Sequence, residues 1–156
     1  MAFNTERGSF GGTIMPRVDS NGKTWLKAKA HGDLTAGTIY AIRGGASGLL
    51  TLAVSNSGFG SETAAAHGNY YIGVPDDAVA SGTFGWLQVG GNADSVTTTS
   101  TTGTAGMTFQ WKDATIVGSG ASDTAYVADF AVCRTSASAS TSHDLFLLGR
   151  KVCGIT

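Results

Sequence analysis

Apolar and polar residues alternate along short runs of this chain, and glycine-rich turns separate the runs. Alternation with a period of two places successive side chains on opposite faces of a strand. In Lys-Thr-Trp-Leu-Lys-Ala-Lys-Ala, residues 23–30, Lys27 and Lys29 share one face with Trp25, while Leu26, Ala28 and Ala30 share the other. This pattern predicts an edge strand whose lysines discourage further pairing. His31-Gly32-Asp33 makes a turn, and strands are expected at 36–43 and 48–54 around a hairpin loop at 44–47. Residues 55–68 read as a loop in which 61–68 suits one helical turn, with Ser61 as its cap and Gly68 as its stop. Strands follow at 69–74 and 83–89, joined by a turn with a short helical segment.

Residues 90–106 are mostly Gly, Thr and Ser, with an exposed strand expected at 97–102. The strongest late strand spans 107–117, with Phe109, Trp111 and Val117 on one face. Strands at 124–133 and 144–152 flank the Ser- and Ala-rich stretch 134–143, an exposed hairpin tip that buries almost nothing. Eight or nine short strands with close-spaced turns predict an all-β single domain over 23–156, a barrel or sandwich. Residues 1–22 lack periodicity and predict an extended N-terminal arm. Its isolated apolar residues Phe3, Phe10 and Ile14, with Arg7 as a polar anchor, are candidates for docking on a neighbouring subunit.

Composition narrows the function. Only 13% of the 156 residues are charged, the net charge is −1, and 23 residues are Gly. No basic cluster interleaved with aromatics suggests nucleic acid. No apolar run approaches the roughly 18 residues that span a membrane as a helix, and no secretory leader pattern stands at the start. Few charges and little net repulsion suit a chain that works inside an assembly.

The candidate chemistry is sparse. His31, His67 and His143 have no spacing that puts two on one face of an element. No Gly-x-Ser-x-Gly elbow supports a catalytic serine. Asp76-Asp77 reads as a turn cap. The glycine-rich loops at 44–48 and 118–120 lack the Lys-Ser/Thr and following helix of a phosphate cradle. Cys133 and Cys153 fall far apart along the expected last hairpin, about 30 Å at 3.3 Å per residue, so free thiols are expected. No catalytic residue, metal or cofactor is expected. Trp25, Trp86 and Trp111 suit either core positions or a sugar-stacking platform.

The stretch from Tyr70 to Gly91 carries Tyr-Tyr-Ile-Gly-Val, a short acidic Ala-rich turn, and a strand with Gly82, Gly85, Val89 and Gly91. It resembles small head decoration (cement) proteins of tailed bacteriophages, as does the final apolar run from Asp144 to Val152. The resemblance spans about 69–93 and 124–152; the Thr-rich insertion and the arm lie outside it. It implies a barrel-like trimer fixed to the outside of an icosahedral head, where it binds major capsid protein without catalysis and the arm residues Phe3, Arg7, Phe10 and Ile14 would touch the capsid or a neighbouring subunit. Synthesis in the host cytoplasm is expected from the free thiols and the start of the chain. The alternative expectation is a tail-fibre or surface lectin-like β domain holding glycans with exposed tryptophans.

Overall fold

The computed structural model describes residues 16–45, 48–52, 70–98, 102–112, 115–118, 129–138 and 141–149. The fold is all-β, with no helix among the described residues. Twelve strands occur there: β1 (Arg17–Val18), β2 (Thr24–Lys29), β3 (Tyr40–Gly45), β4 (Gly48–Leu52), β5 (Tyr70–Pro75), β6 (Phe84–Thr97), β7 (Thr102–Gly103), β8 (Thr108–Lys112), β9 (Thr115–Gly118), β10 (Asp129–Cys133), β11 (Ala137–Ser138) and β12 (Ser142–Leu148). Ten form one sheet in the order β1-β2-β4-β3-β5-β6-β12-β10-β8-β9, and β11 pairs with β7 in a small ribbon.

An additional antiparallel pairing of β2 with β6 turns one half of the sheet back on itself, through β2-β4-β3-β5-β6. Strands β2 and β4 meet at a single parallel pair, Lys29 with Leu50, and the sheet as a whole is not a closed barrel.

Two hydrophobic cores result. Leu26, Ala28, Tyr40, Ile42, Leu87 and Val89 fill one; Ala41, Ile72, Val74, Phe109, Ala131 and Leu145 belong to the other. Strands β3 and β5 lie between them. Their alternating side chains serve both cores, which is why Tyr40, Ala41 and Ile42 are buried in succession. Strand β6 contributes Leu87 and Val89 to the first core, then Ala93 and Val96 to the second. Between these pairs stands Gly91, with φ at +87° and a would-be Cβ only 3.1 Å from the carbonyl oxygen of Gly22. Glycine there permits both the left-handed backbone and the close pass of the β1–β2 turn.

Several expectations change. Strand β2 is no edge strand: it pairs with β1, β4 and β6, and its lysines face outward from the sheet. Residues 17–18, expected in the arm, pair with Trp25 and Thr24 of the domain itself. The stretch after residue 89 continues β6 to Thr97, because Gly90–Thr97 finds a partner in β12. The expected strand 107–117 is the hairpin β8–β9, with Lys112 opposite Thr115. The connector 76–82 holds no helix; Val79 bridges to Leu34 instead, with N–H···O distances of 2.8 and 3.1 Å. The expected helical turn at 61–68 lies outside the described residues.

The tip after β10 is also tied down. Ala137 and Ser138 pair with Gly103 and Thr102, and the Ala105 N–H donates to Ser136 Oγ at 3.0 Å. The Arg134 guanidinium donates to Asp94 at 2.6 Å. His143, expected at the exposed tip, is 2% exposed and packs against Phe109 with ring centroids 5.4 Å apart. Polar residues still dominate the tip's surface, but the loop spends its backbone on a ribbon that sequence alternation did not announce.

Candidate binding face

The outer face of β1, β2 and β6 gathers exposed aromatic and cationic side chains. Antiparallel register sets Trp25 opposite Gln88, Lys27 opposite Trp86 and Lys29 opposite Phe84. Arg17 stands opposite Trp25 on the other flank of β2. Residues directly opposite share a face, so a ladder of cations and aromatic rings forms while Leu26 and Ala28 point into the core.

Within that ladder, the Arg17 guanidinium carbon lies 5.0 Å from the centroid of the Trp86 ring, and Lys27 Nζ lies 5.8 Å from that of Phe84. Both distances fall in the cation–π range, worth about 0.5–1 kcal/mol at exposed sites. Phe84 is 59% exposed and Trp86 half-buried.

Trp25 differs: it is only 3% exposed, and its indole Nε1–H donates to Asp19 Oδ2 at 3.0 Å. Asp19 Oδ1 accepts the N–H groups of Asn21 and Lys23 at 2.8 and 3.0 Å, closing the β1–β2 turn. Desolvation alone would raise the Asp19 pKa. The hydrogen bonds from Trp25, Lys23 and Asn21, with the Lys23 charge, hold it below its ordinary value.

The connector after β5 walls one side of this face. Val79 is fixed by its two hydrogen bonds to Leu34, and a Cβ at Gly85 would run into the Val79 side chain. Ser81 N–H donates to Asp33 Oδ1 at 2.8 Å, holding the far end of the connector. Between connector and sheet lies an open cleft of about 310 Å³, whose lining includes Trp25, Asp76, Asp77, Phe84 and Trp86. Asp76 and Asp77, read from sequence as a turn cap, therefore stand beside two tryptophans and a phenylalanine. The β5–β6 pairing, with Pro75 opposite Leu87, sets the connector beside Phe84 and Trp86, and the β2–β6 register adds Trp25. The alternation of Lys27 and Lys29, and of Phe84 and Trp86, was visible in sequence, but not that the two runs pair.

The arm residues Phe3, Arg7, Phe10 and Ile14 lie outside the described residues, as do His67 and Cys153. His31 is exposed in a turn, remote in sequence from the buried His143. Cys133 is a buried free thiol whose Sγ donates to the Thr135 carbonyl at 3.0 Å. Trp25 is buried, so the expected platform of exposed tryptophans does not include it; Trp111 lies in β8, paired with Ile116. Among the described residues, no three His, Cys, Asp or Glu side chains stand together as a metal site. The face combines aromatic area, cations held over rings and a cleft lined by two carboxylates.

No protein-family description, curated protein or solved structure matches this chain.

Proposed function

We propose that this chain is a non-enzymatic decoration protein that binds the outside of an icosahedral phage head and stabilises it by bridging major capsid subunits. The observation that carries the reading is the outer face of β1, β2 and β6, where Arg17, Lys27 and Lys29 surround Trp86 and the exposed Phe84. Aromatic residues and arginine are the side chains enriched where protein partners meet. A bridge needs a second contact, and Phe146, 45% exposed on β12, offers an apolar residue on the other half of the sheet. Edge strand β1 adds Val18, 68% exposed. The resemblance carried by Tyr70–Gly91 falls on β5, the connector and the first part of β6, which carries Phe84 and Trp86 of this face.

The mechanism is mass action. A protein that binds only the assembled shell stabilises it by RT ln(1 + [L]/Kd), about 4 kcal/mol per site at 1,000-fold excess over Kd. In the same reading the chain acts as a homotrimer on the head exterior after synthesis in the host cytoplasm.

The test is co-sedimentation of the purified protein with heads stripped of decoration, followed by thermal disruption of the particles. Saturable binding and a raised disruption temperature are expected. A protein that stays in the supernatant at every ratio, and leaves the disruption temperature unchanged, refutes the reading.

A further inference from the structure

We infer that the cleft between the 76–80 connector and the β2–β6 face is a binding site for a neutral saccharide. This goes beyond the decoration reading, since it requires only the isolated chain. It also differs from a platform of exposed tryptophans, because its principal ring is Phe84 and its polar groups are the aspartates of the connector.

Three features select the ligand class. The first is aromatic surface. Phe84 is exposed, Trp86 is half-buried, and Trp25 forms part of the lining while held by Asp19. The C–H faces of a pyranose ring are apolar and pack on such rings. The second is acceptor capacity. Asp76 and Asp77 are both exposed, and neither holds a hydrogen bond or ion pair among the described residues. Carboxylates accept hydrogen bonds from hydroxyl groups, and bonds to charged groups are the stronger kind. The third is charge. Asp76 and Asp77 belong to the cleft's lining, and Arg17 and Lys27 do not. The carboxylates repel an anion, whereas a neutral polyol donates its hydroxyl protons to them.

Size and rigidity agree. About 310 Å³ lies at the lower end of small-molecule sites and suits one or two sugar rings. Val79 is pinned by Leu34 on one side and by the close approach of Gly85 on the other. The connector is thereby preformed, which reduces the ordering that binding would otherwise require.

The experiment uses the full chain without particles. Glucose, galactose, mannose, N-acetylglucosamine and their disaccharides are titrated, with saturation-transfer NMR and tryptophan fluorescence as readouts. At least one neutral sugar should give a saturable signal in both. Phe84→Ala and the double variant Asp76→Ala/Asp77→Ala should each weaken it by about tenfold or more, while sialic acid binds no better than the neutral sugars. The aspartate variant should keep its melting temperature, since both side chains are exposed, and should keep its binding to stripped heads. That last arm separates the two readings: loss of sugar binding with head binding intact places the saccharide in the cleft. No signal from any neutral sugar, a preference for an anionic one, or full binding in both variants would overturn the inference.

Discussion

Gly73 sits where β5 passes through the first core, and a Cβ there would meet Ile42 Cδ1 at 2.8 Å, Leu87 Cβ at 3.0 Å and Val89 Cγ1 at 3.3 Å. All three neighbours are themselves buried, so little can move aside. Gly73→Ala should therefore destabilise the fold by about 1–3 kcal/mol, the usual cost of overpacking. Gly32 is the control. It has nothing within 4 Å of its would-be Cβ and no left-handed backbone. Gly32→Ala should be neutral or slightly stabilising, because it reduces the freedom of the unfolded chain. Urea denaturation of both variants checks the pair, and equal midpoints would show the Gly73 site to be slack. Gly103 follows the same logic in the second core, since its Cβ would lie 2.7 Å from His143 Nδ1 and 3.0 Å from Cys133 Sγ.

At the scale of elements, the β10–β12 connection is governed by Asp144. Its Oδ1 accepts the Ser95 N–H at 3.0 Å, and its Oδ2 accepts the Thr135 hydroxyl at 3.2 Å. Ser95 has φ at +53°, unusual for a residue other than glycine, so the carboxylate steadies a register irregularity of β6 against β12 that costs backbone energy. That backbone hydrogen bond, with the Thr135 bond and the charges of Arg134 and His143, holds the Asp144 pKa below its ordinary value against desolvation. A depressed carboxylate contributes stability that is complete above the unfolded value, near 3.9, and is lost as pH falls through the folded value. The melting temperature should therefore decline below about pH 4, and Asp144→Asn should decline less steeply over that window. Parallel slopes for the two proteins would remove Asp144 from the account. The ribbon β7–β11 ends at Ser138, which is exposed. A short peptide inserted between Ser138 and Ala139 should leave the β domain folded, with thermal melting as the readout and a shift of only a few degrees expected, about 1 kcal/mol at this size.

For the whole molecule, the decoration reading makes charge the lever. Reversing Lys27 and Lys29 to Glu leaves the buried face of β2 intact, because Leu26 and Ala28 carry the packing. Binding to stripped heads should weaken and its salt dependence should change, since exposed charges act mainly through association rate and are screened over about 10 Å at 0.1 M salt. A double variant that binds heads like the parent would place the docking surface elsewhere. The arm supplies a second test. Deleting residues 2–15 stops just short of Pro16 and β1, so the domain should melt as before while head binding or trimer formation weakens. Sedimentation of both forms, alone and with heads, decides whether Phe3, Arg7, Phe10 and Ile14 act as anchors.

Local alternation determined much of this protein. It identified the all-β class, the buried side of β2 through Leu26, Ala28 and Ala30, and the outward Lys27 and Lys29, because a period of two is a property of the strand itself. It also put Cys133 close to its true partner in the last hairpin, opposite Leu145. It misread stretches whose state depends on distant chain. Gly90–Thr97 has little apolar signal, yet it is strand because β12 offers it a ladder. Ala137 and Ser138 are strand because Gly103 and Thr102 happen to lie beside them. Trp25 shares the alternation of two exposed lysines but is buried, because the Asp19 turn folds over it and accepts its indole N–H. The cleft was the least legible feature. Asp76 and Asp77 are adjacent polar residues in a turn, and nothing local distinguishes them from a cap. They became candidate ligands because the β5–β6 pairing at Pro75 and Leu87, with the Val79–Leu34 bridge, holds the connector beside Phe84 and Trp86. The pairing of β2 with β6, some sixty residues apart, added Trp25 to the lining, and such register is set by the packing of both cores rather than by either segment alone.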